Sequence, residues 1–163
     1  MKIFAISDNH FDALPYMQHV FPRPEFRDNE HMNAEMIRRW NAVVAKEDLV
    51  IMVGDTCYTD PRQWLEQLNG NKIMIRANHD EWCEGYAGDY AMTLEYRGIW
   101  FYITHDPAYV PKDWTGWCIH GHHHNMPQFP HIDPVKKNVN VACEMVNYTP
   151  VSLDDLVTRL ARA

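Results

Sequence analysis

Asp8 with His10, Asp55, Asn78 with His79, His105, and His122 with His124 each stand directly behind a short apolar run. The runs are KIFAIS, LVIMVG, KIMIRA, IWFYIT and WCIHG, and the residues that follow them are of the types that bind divalent cations and phosphate. Runs of this length read as strands. In an open α/β sheet, ligands gather in the crevice outside the carboxyl ends of the strands, so donors far apart in sequence are expected to meet there. Histidines mixed with carboxylates suit manganese, iron, nickel or zinc better than calcium or magnesium. Asp8 and His10 are two residues apart, and in an extended segment such residues face the same way. The same parity joins His122 to His124 and turns His123 away. It includes His120 as well, although Gly121 lets the backbone turn there. Asp55, behind Gly54, is the natural shared ligand for two ions about 3.5–4 Å apart. Two carboxylates against two dications leave a local charge of about +2, enough to draw in a phosphate.

The elements that must carry these residues can be read from the pattern. KIFAIS leads into a Pro-bearing stretch, FDALPYMQHVFPRPEFRDNE, expected to be an irregular loop. In HMNAEMIRRWNAVVAKE the residues Met36, Ile37, Trp40, Val43 and Val44 recur at helical spacing, which predicts an amphipathic crossover helix. LVIMVG is apolar throughout, as a parallel strand covered on both faces should be. DPRQWLEQLNG begins a helix with Pro61 in its first turn and Gly70 behind its end, and hands the chain to KIMIRA. Beyond Asp80, DYAMTLEY and IWFYITHD are separated only by Arg97 and Gly98, which predicts a hairpin. WCIHG, NVNVACEM and YTPVS add strands, and SLDDLVTRLARA reads as a closing helix with Ser152 and Asp155 in capping-box spacing. Two βαβ units followed by a mainly antiparallel half fit two packed sheets flanked by helices. The fold expected is a four-layer α/β/β/α sandwich with two mixed β-sheets, one domain over residues 1–163.

A chain of 163 residues is about one domain long, with no room for a cap domain. Fifteen Lys and Arg against 22 Asp and Glu give a net charge of -7, which argues against a basic nucleic-acid groove or a membrane-surface patch. Cys57, Cys83, Cys118 and Cys143 are widely spread without a C-x-x-C pair, and the first apolar stretch is short. A reduced, cytoplasmic protein with idle thiols and no membrane span is the expectation.

The ordered blocks Asp8-Asn9-His10, Gly54-Asp55, Asn78-His79-Asp80, His105 and Gly121-His122-His123-His124 resemble the calcineurin-like metallophosphoesterases, whose pattern is D-x-H, G-D, G-N-H-[DE], a lone H and G-H-x-H. The resemblance spans about residues 1 to 125, and NVNVACEMVNYTPVSLDDL is similar to the closing segment of small bacterial and phage members. One position departs: Ala77 stands where the family has Gly, which its backbone tolerates if φ is negative.

The resemblance implies that Asp8, His10 and His124 hold a first divalent ion, with Asp55 bridging to a second held by Asn78, His105 and His122. His79, unligated, would protonate the leaving oxygen. It implies two ions, manganese first with iron, nickel or zinc as alternatives, and in-line attack of a metal-bridging hydroxide on a phosphodiester or nucleotide-type substrate. The alternatives are a phosphomonoesterase or protein phosphatase on the same site, and a noncatalytic metal-binding scaffold. Asp80 either orients the His79 imidazole or caps a helix. Arg76 either reaches a substrate phosphate or pairs with a carboxylate. Trp114 and Trp117 either stack on a base or pack a loop.

Overall fold

The computed structural model describes residues 1–77, 79, 80, 85 and 88–162. Strand β1 (Ile3–Ile6) runs parallel to β2 (Leu49–Met52), which runs parallel to β3 (Asn71–Met74). A short antiparallel strand, β9 (Val151–Ser152), completes this sheet on the far side of β1, in the order β3-β2-β1-β9. The second sheet has the order β4-β5-β6-β8-β7, from β4 (Ala91–Tyr96), β5 (Ile99–Thr104), β6 (Trp117–His120), β7 (Ile132–Asp133) and β8 (Asn138–Asn140). Both sheets are mixed and flanked by helices, as the pattern of apolar runs predicts.

The period-two alternation of strand side chains decides which sheet face meets which layer. Phe4, Ile6, Val50, Met52 and Met74 pack against the helical layer, with Met32, Met36 and Trp40 of α2 (Asn29–Val43) and Trp64 of α3 (Arg62–Leu65). Ala5, Ile51, Val53 and Ile75 point the other way and meet Phe101, Ile103, Ile119 and Val139 of the second sheet. Leu153, Leu156 and Leu160 of the closing helix α4 (Leu153–Leu160) join this inter-sheet core. No helix among the described residues is long and apolar enough to cross a membrane.

Local chemistry sets the element ends. Asp28 caps α2 by accepting from the His31 amide, so the helix begins at Asn29, two residues before the segment that reads as helical. Ser152 caps α4 through the amides of Asp154 and Asp155. Arg97 and Gly98, with φ of 51° and 79°, form the tight turn of the β4–β5 hairpin. Two readings of the sequence are corrected. The Pro-bearing stretch is not wholly irregular, since it contains α1 (Leu14–Val20), whose Pro15 sits in the first turn where its missing amide costs nothing. The second half is not mainly antiparallel, because β5, β6 and β8 run parallel and only the outer strands β4 and β7 oppose them. The segment between β5 and β6 is long enough for a crossover.

Gly54 ends β2 at φ 87°, and a Cβ there would run into the Ala77 methyl and come within 2.7 Å of His105 Nδ1. Gly98 has nearly the same backbone but open space around it. Gly98→Ala is therefore expected to cost only the left-handed backbone term of about 1 kcal/mol, whereas Gly54→Ala should cost about 2 kcal/mol or more beyond that. Urea unfolding of the two variants side by side checks the difference.

Candidate metal centre

The carboxyl ends of β1, β2, β5 and β6 do deliver their polar residues to one place, but not as extended chain. Asp8, His10, Asp55, His122 and His124 have φ of 58°, 48°, 53°, 67° and 46°, all in the left-handed region. Such angles are uncommon outside glycine and cluster at functional sites. The parity argument for the Asp8–His10 and His122–His124 pairs thus selects residues that do converge, through a different backbone: each strand ends and the chain coils left-handed. Ala77 is not among the positive-φ residues, so its methyl is accommodated and packs over Gly54.

The donor atoms of Asp8, His10 and His124 lie within 4.8 Å of one another, and so do those of Asp8, Asp55 and His105, all five residues being buried. His124 Nε2 is 3.3 Å from Asp8 Oδ1. Asp55 Oδ2 stands between the two groups, 3.6 Å from His10 Nε2 and 3.3 Å from His105 Nε2. Donors arranged tetrahedrally about 2.1 Å from one ion lie about 3.4 Å apart, so these separations are those of ligands around a shared cation. Among the described residues, both ring nitrogens of His10 and the Nε2 of His105 are buried without a hydrogen-bond partner. Buried polar atoms normally find partners, and orphans grouped beside carboxylates fit a divalent ion. Gly121 contributes by lacking a side chain, since a Cβ there would occupy the space of Ser7 Oγ and Asp8 Oδ2.

The imidazoles are presented by their far nitrogens. His105 Nδ1 donates to the Val53 carbonyl at 2.8 Å, and His124 Nδ1 lies 3.1 Å from both oxygens of Glu144, which leaves each Nε2 bare toward the carboxylates. Burial pulls the pKa of His10 down to about 3. Burial acts the same way on His105, but the Asp55 and Asp8 carboxylates outweigh it and hold its pKa up at about 9. Burial also opposes ionisation of Asp55, yet the surrounding His105, His10 and His79 bring its pKa below the usual carboxylate range. The negative field that binds a proton so well at His105 favours a dication there as well.

Three residues that the sequence pattern does not single out hold this geometry. The fully buried Arg23 donates to the carbonyls of Asp8 (2.7 Å) and Asn9 (2.8 Å) and pairs with Glu144 at 2.9 Å. Burial opposes the charge of Glu144, but His124 and Arg23 together hold its pKa down at about 2. The buried Asn140 donates from Nδ2 to the carbonyls of His124 and Phe129. Nothing in the order of apolar runs and ligand blocks marks Arg23, Glu144 or Asn140. The nearest signal is the placing of a charged residue inside FPRPEF and another inside the apolar VACEMV.

The Asp80 carboxylate accepts the amides of Asp55, Thr56 and Ala77, tying the ends of β2 and β3 together, and the residues at 81–84 that it is expected to cap lie outside the described residues. His79 donates its amide to Asp55 Oδ1, and its ring lies 6.1 Å from that of His10 and 5.6 Å from that of Tyr58. A small cavity of about 80 Å³ is lined by His10, Asp55, His79, His122 and His124 together with Phe21. His122 packs edge-on against His105 with centroids 5.1 Å apart, while its Nε2 is 3.8 Å from Asp106, outside both donor groups. Asn78 lies outside the described residues. His123 is turned away and stacks on Phe129 at 3.5 Å, and His120 is buried beneath the site with Nδ1 on the Gly121 carbonyl. Trp114 donates to the Trp117 carbonyl and leans on Tyr102, so this pair packs a loop. Of the cysteines, Cys57, Cys118 and Cys143 are buried and Cys83 lies outside the described residues.

Comparison with known proteins agrees with this geometry. The family described as calcineurin-like phosphoesterase matches residues 1–153. The uncharacterized protein MJ1445 of Methanocaldococcus jannaschii is 38% identical over 164 residues, covering 96% of this chain and 89% of its own length. Among solved structures, a protein of unknown function from Aquifex aeolicus, AQ665, shares the fold at a TM-score of 0.71 and 19% identity, over 97% of this chain and 98% of that one. With a match that takes in every strand-end donor from Asp8 to His124 and runs on to the start of α4, the chain belongs to the calcineurin-like phosphoesterase family.

Proposed function

We propose that this protein hydrolyses phosphoesters with two divalent metal ions, and that its substrate is a phosphodiester or nucleotide-type molecule. The observation that carries the reading is the set of buried, unpartnered imidazole nitrogens of His10 and His105 facing Asp8 and Asp55 at ligand-like separations. Asp8, His10 and His124 would hold one ion and His105, His122 and Asn78 the other, with Asp55 shared. The half-buried His122 ring packs beside His105 and would turn toward Asp55 to join that set, its amide donating to Asp8. Imidazoles among carboxylates favour manganese, with iron, nickel and zinc as alternatives.

When bound, the ions would polarise the phosphoryl oxygens and make hydroxide available near neutral pH. The chain's own residues do the rest. His79, on the wall of the small cavity and outside the donor groups, gives its proton to the leaving oxygen. Phe21, Met17 and Val20 line one side of that cavity with apolar surface. Glu144 and Arg23 keep the His124 ring aimed. Among the described residues no second folded unit stands over the site, which suits an accessible diester over an enclosed small monoester. Buried Cys57, Cys118 and Cys143 and the acidic composition support a cytoplasmic location.

His79→Ala should leave the metal content unchanged, as read by elemental analysis, and lower kcat by about two to four orders of magnitude. Loss of metal from that variant would reassign His79 to the ligands, and undiminished metal with no activity in the wild type would leave a binding scaffold. Manganese-loaded enzyme is expected to turn over bis(4-nitrophenyl) phosphate faster than 4-nitrophenyl phosphate, and a decisive lead for the monoester reverses the stated preference. Glu144→Gln should weaken manganese binding about 10- to 100-fold in a calorimetric titration, because His124 loses its orienting charge. The pKa of Glu144 is depressed by folding, so its stabilising effect is present above pH 4.5 and lost as the pH falls toward 2. The stability gap between wild type and Glu144→Gln, measured on metal-free protein, should therefore close across that window.

A further inference from the structure

Beside the metal centre lies a second, larger cavity of about 610 Å³, walled by Arg76 and Ala77 beyond β3, Tyr90 ahead of β4, Thr104, His105 and Asp106 at the end of β5, Tyr109, and His122. Its volume is in the range of small-molecule sites, about 300–1,000 Å³. His122 lines both this cavity and the small one, so its side chain stands where the two adjoin. The small cavity is about 80 Å³, and the larger one is the space beside it that can take the rest of a substrate.

The wall of the larger space has a definite chemistry. Among the described residues Arg76 is the permanent cation of the lining, with its Nε buried without a hydrogen-bond partner and its guanidinium without an ion pair. Asp106, the carboxylate of the lining, accepts the Ala108 amide at 2.8 Å and lies 3.9 Å from His123 Nε2. Tyr90 lies 5.7 Å from the Arg76 guanidinium and is 66% exposed, and Tyr109, in the same lining, is 73% exposed. Exposed aromatic faces beside an unpaired guanidinium are the parts needed to hold a planar ring and an anion together.

We propose that this cavity is the leaving-group site, and that the group it receives is a nucleotide: a planar base against Tyr90 and Tyr109, and a phosphate of its own on Arg76. This rests on the phosphoesterase reading of the adjoining centre and narrows its substrate class. In the reaction, hydroxide oxygen joins phosphorus, the bond from phosphorus to the leaving oxygen breaks, and that oxygen takes the proton of His79 to become a hydroxyl of the released nucleotide. The hydrolysed phosphoryl group and the phosphate on Arg76 are two separate anions, so the products should occupy the protein together.

The test is a calorimetric titration of AMP into manganese-loaded protein already saturated with inorganic phosphate, repeated with Arg76→Ala and with Arg76→Gln in case the first folds poorly. AMP is expected to bind with phosphate present, and to bind at least 10-fold more weakly to either variant, while adenosine binds both forms alike. In parallel, the ratio of kcat/KM for a 5′-phosphorylated dinucleotide, whose leaving group is a nucleoside 5′-monophosphate, to that for bis(4-nitrophenyl) phosphate should fall at least 10-fold on substitution. Displacement of AMP by phosphate, or equal AMP affinity in the variants, overturns the proposal. Arg76-dependent AMP binding by a wild-type protein that cleaves no ester would leave the nucleotide site standing and remove the hydrolytic reading instead.

Discussion

The left-handed backbone at the strand ends is the constraint around which the rest of this structure is arranged. An L-residue in that region is disfavoured by roughly 1–2 kcal/mol, and Asp8, His10, Asp55 and His124 of the donor groups adopt it, as does the neighbouring His122. The conformation turns carbonyl groups inward where no strand can meet them. Arg23 answers this for Asp8 and Asn9, and Asp80 answers the corresponding amides of Asp55 and Thr56. A buried guanidinium is itself tolerable only beside a buried carboxylate, which is Glu144. Glu144 has a second partner in His124. The bracing of the first loop and the aim of the last imidazole thus share one carboxylate.

Electrostatically, the site is a small region of concentrated negative charge inside an acidic protein. Asp8, Asp55 and Glu144 are buried together, with Arg23 the only permanent cation among them. Burial alone pushes the pKa of Asp8 upward, and the imidazoles around it push back. A cluster of this kind is in electrostatic deficit until a cation joins it, and bare Nε2 atoms mark where the cation belongs. The neighbouring pocket is more nearly balanced, since Arg76 and Asp106 both belong to its lining.

Much of the fold was legible because apolar runs and their terminators are local signals. β1, β2, β4, β5 and β6 fall within runs that read as strands, β3 overlaps its run but starts one residue earlier at Asn71, and Ser152 caps the closing helix as its spacing predicts. The direction of the strands in the second half was not legible, since antiparallel and parallel partners have similar sequences and only the register distinguishes them. The site residues were legible as types in order, while their geometry was not: the alternation rule identified the Asp8–His10 pair, but the chain coils where that rule assumes extension. Arg23, Glu144 and Asn140 were invisible for a different reason. Their importance lies in contacts between distant segments, such as the 121 positions separating Arg23 from Glu144, and nothing in their immediate neighbours records those contacts.

The empty face of Gly121 has a consequence for the order in which the molecule assembles. Asp8 lies against that glycine and accepts the amide of His122, 114 positions further along the chain. Contacts so remote in sequence close late, after the local helices and the hairpin have formed. A ribosome would release most of the chain before its first aspartate found its seat, and the nascent protein would have little grip on a metal ion until the two sheets had come together.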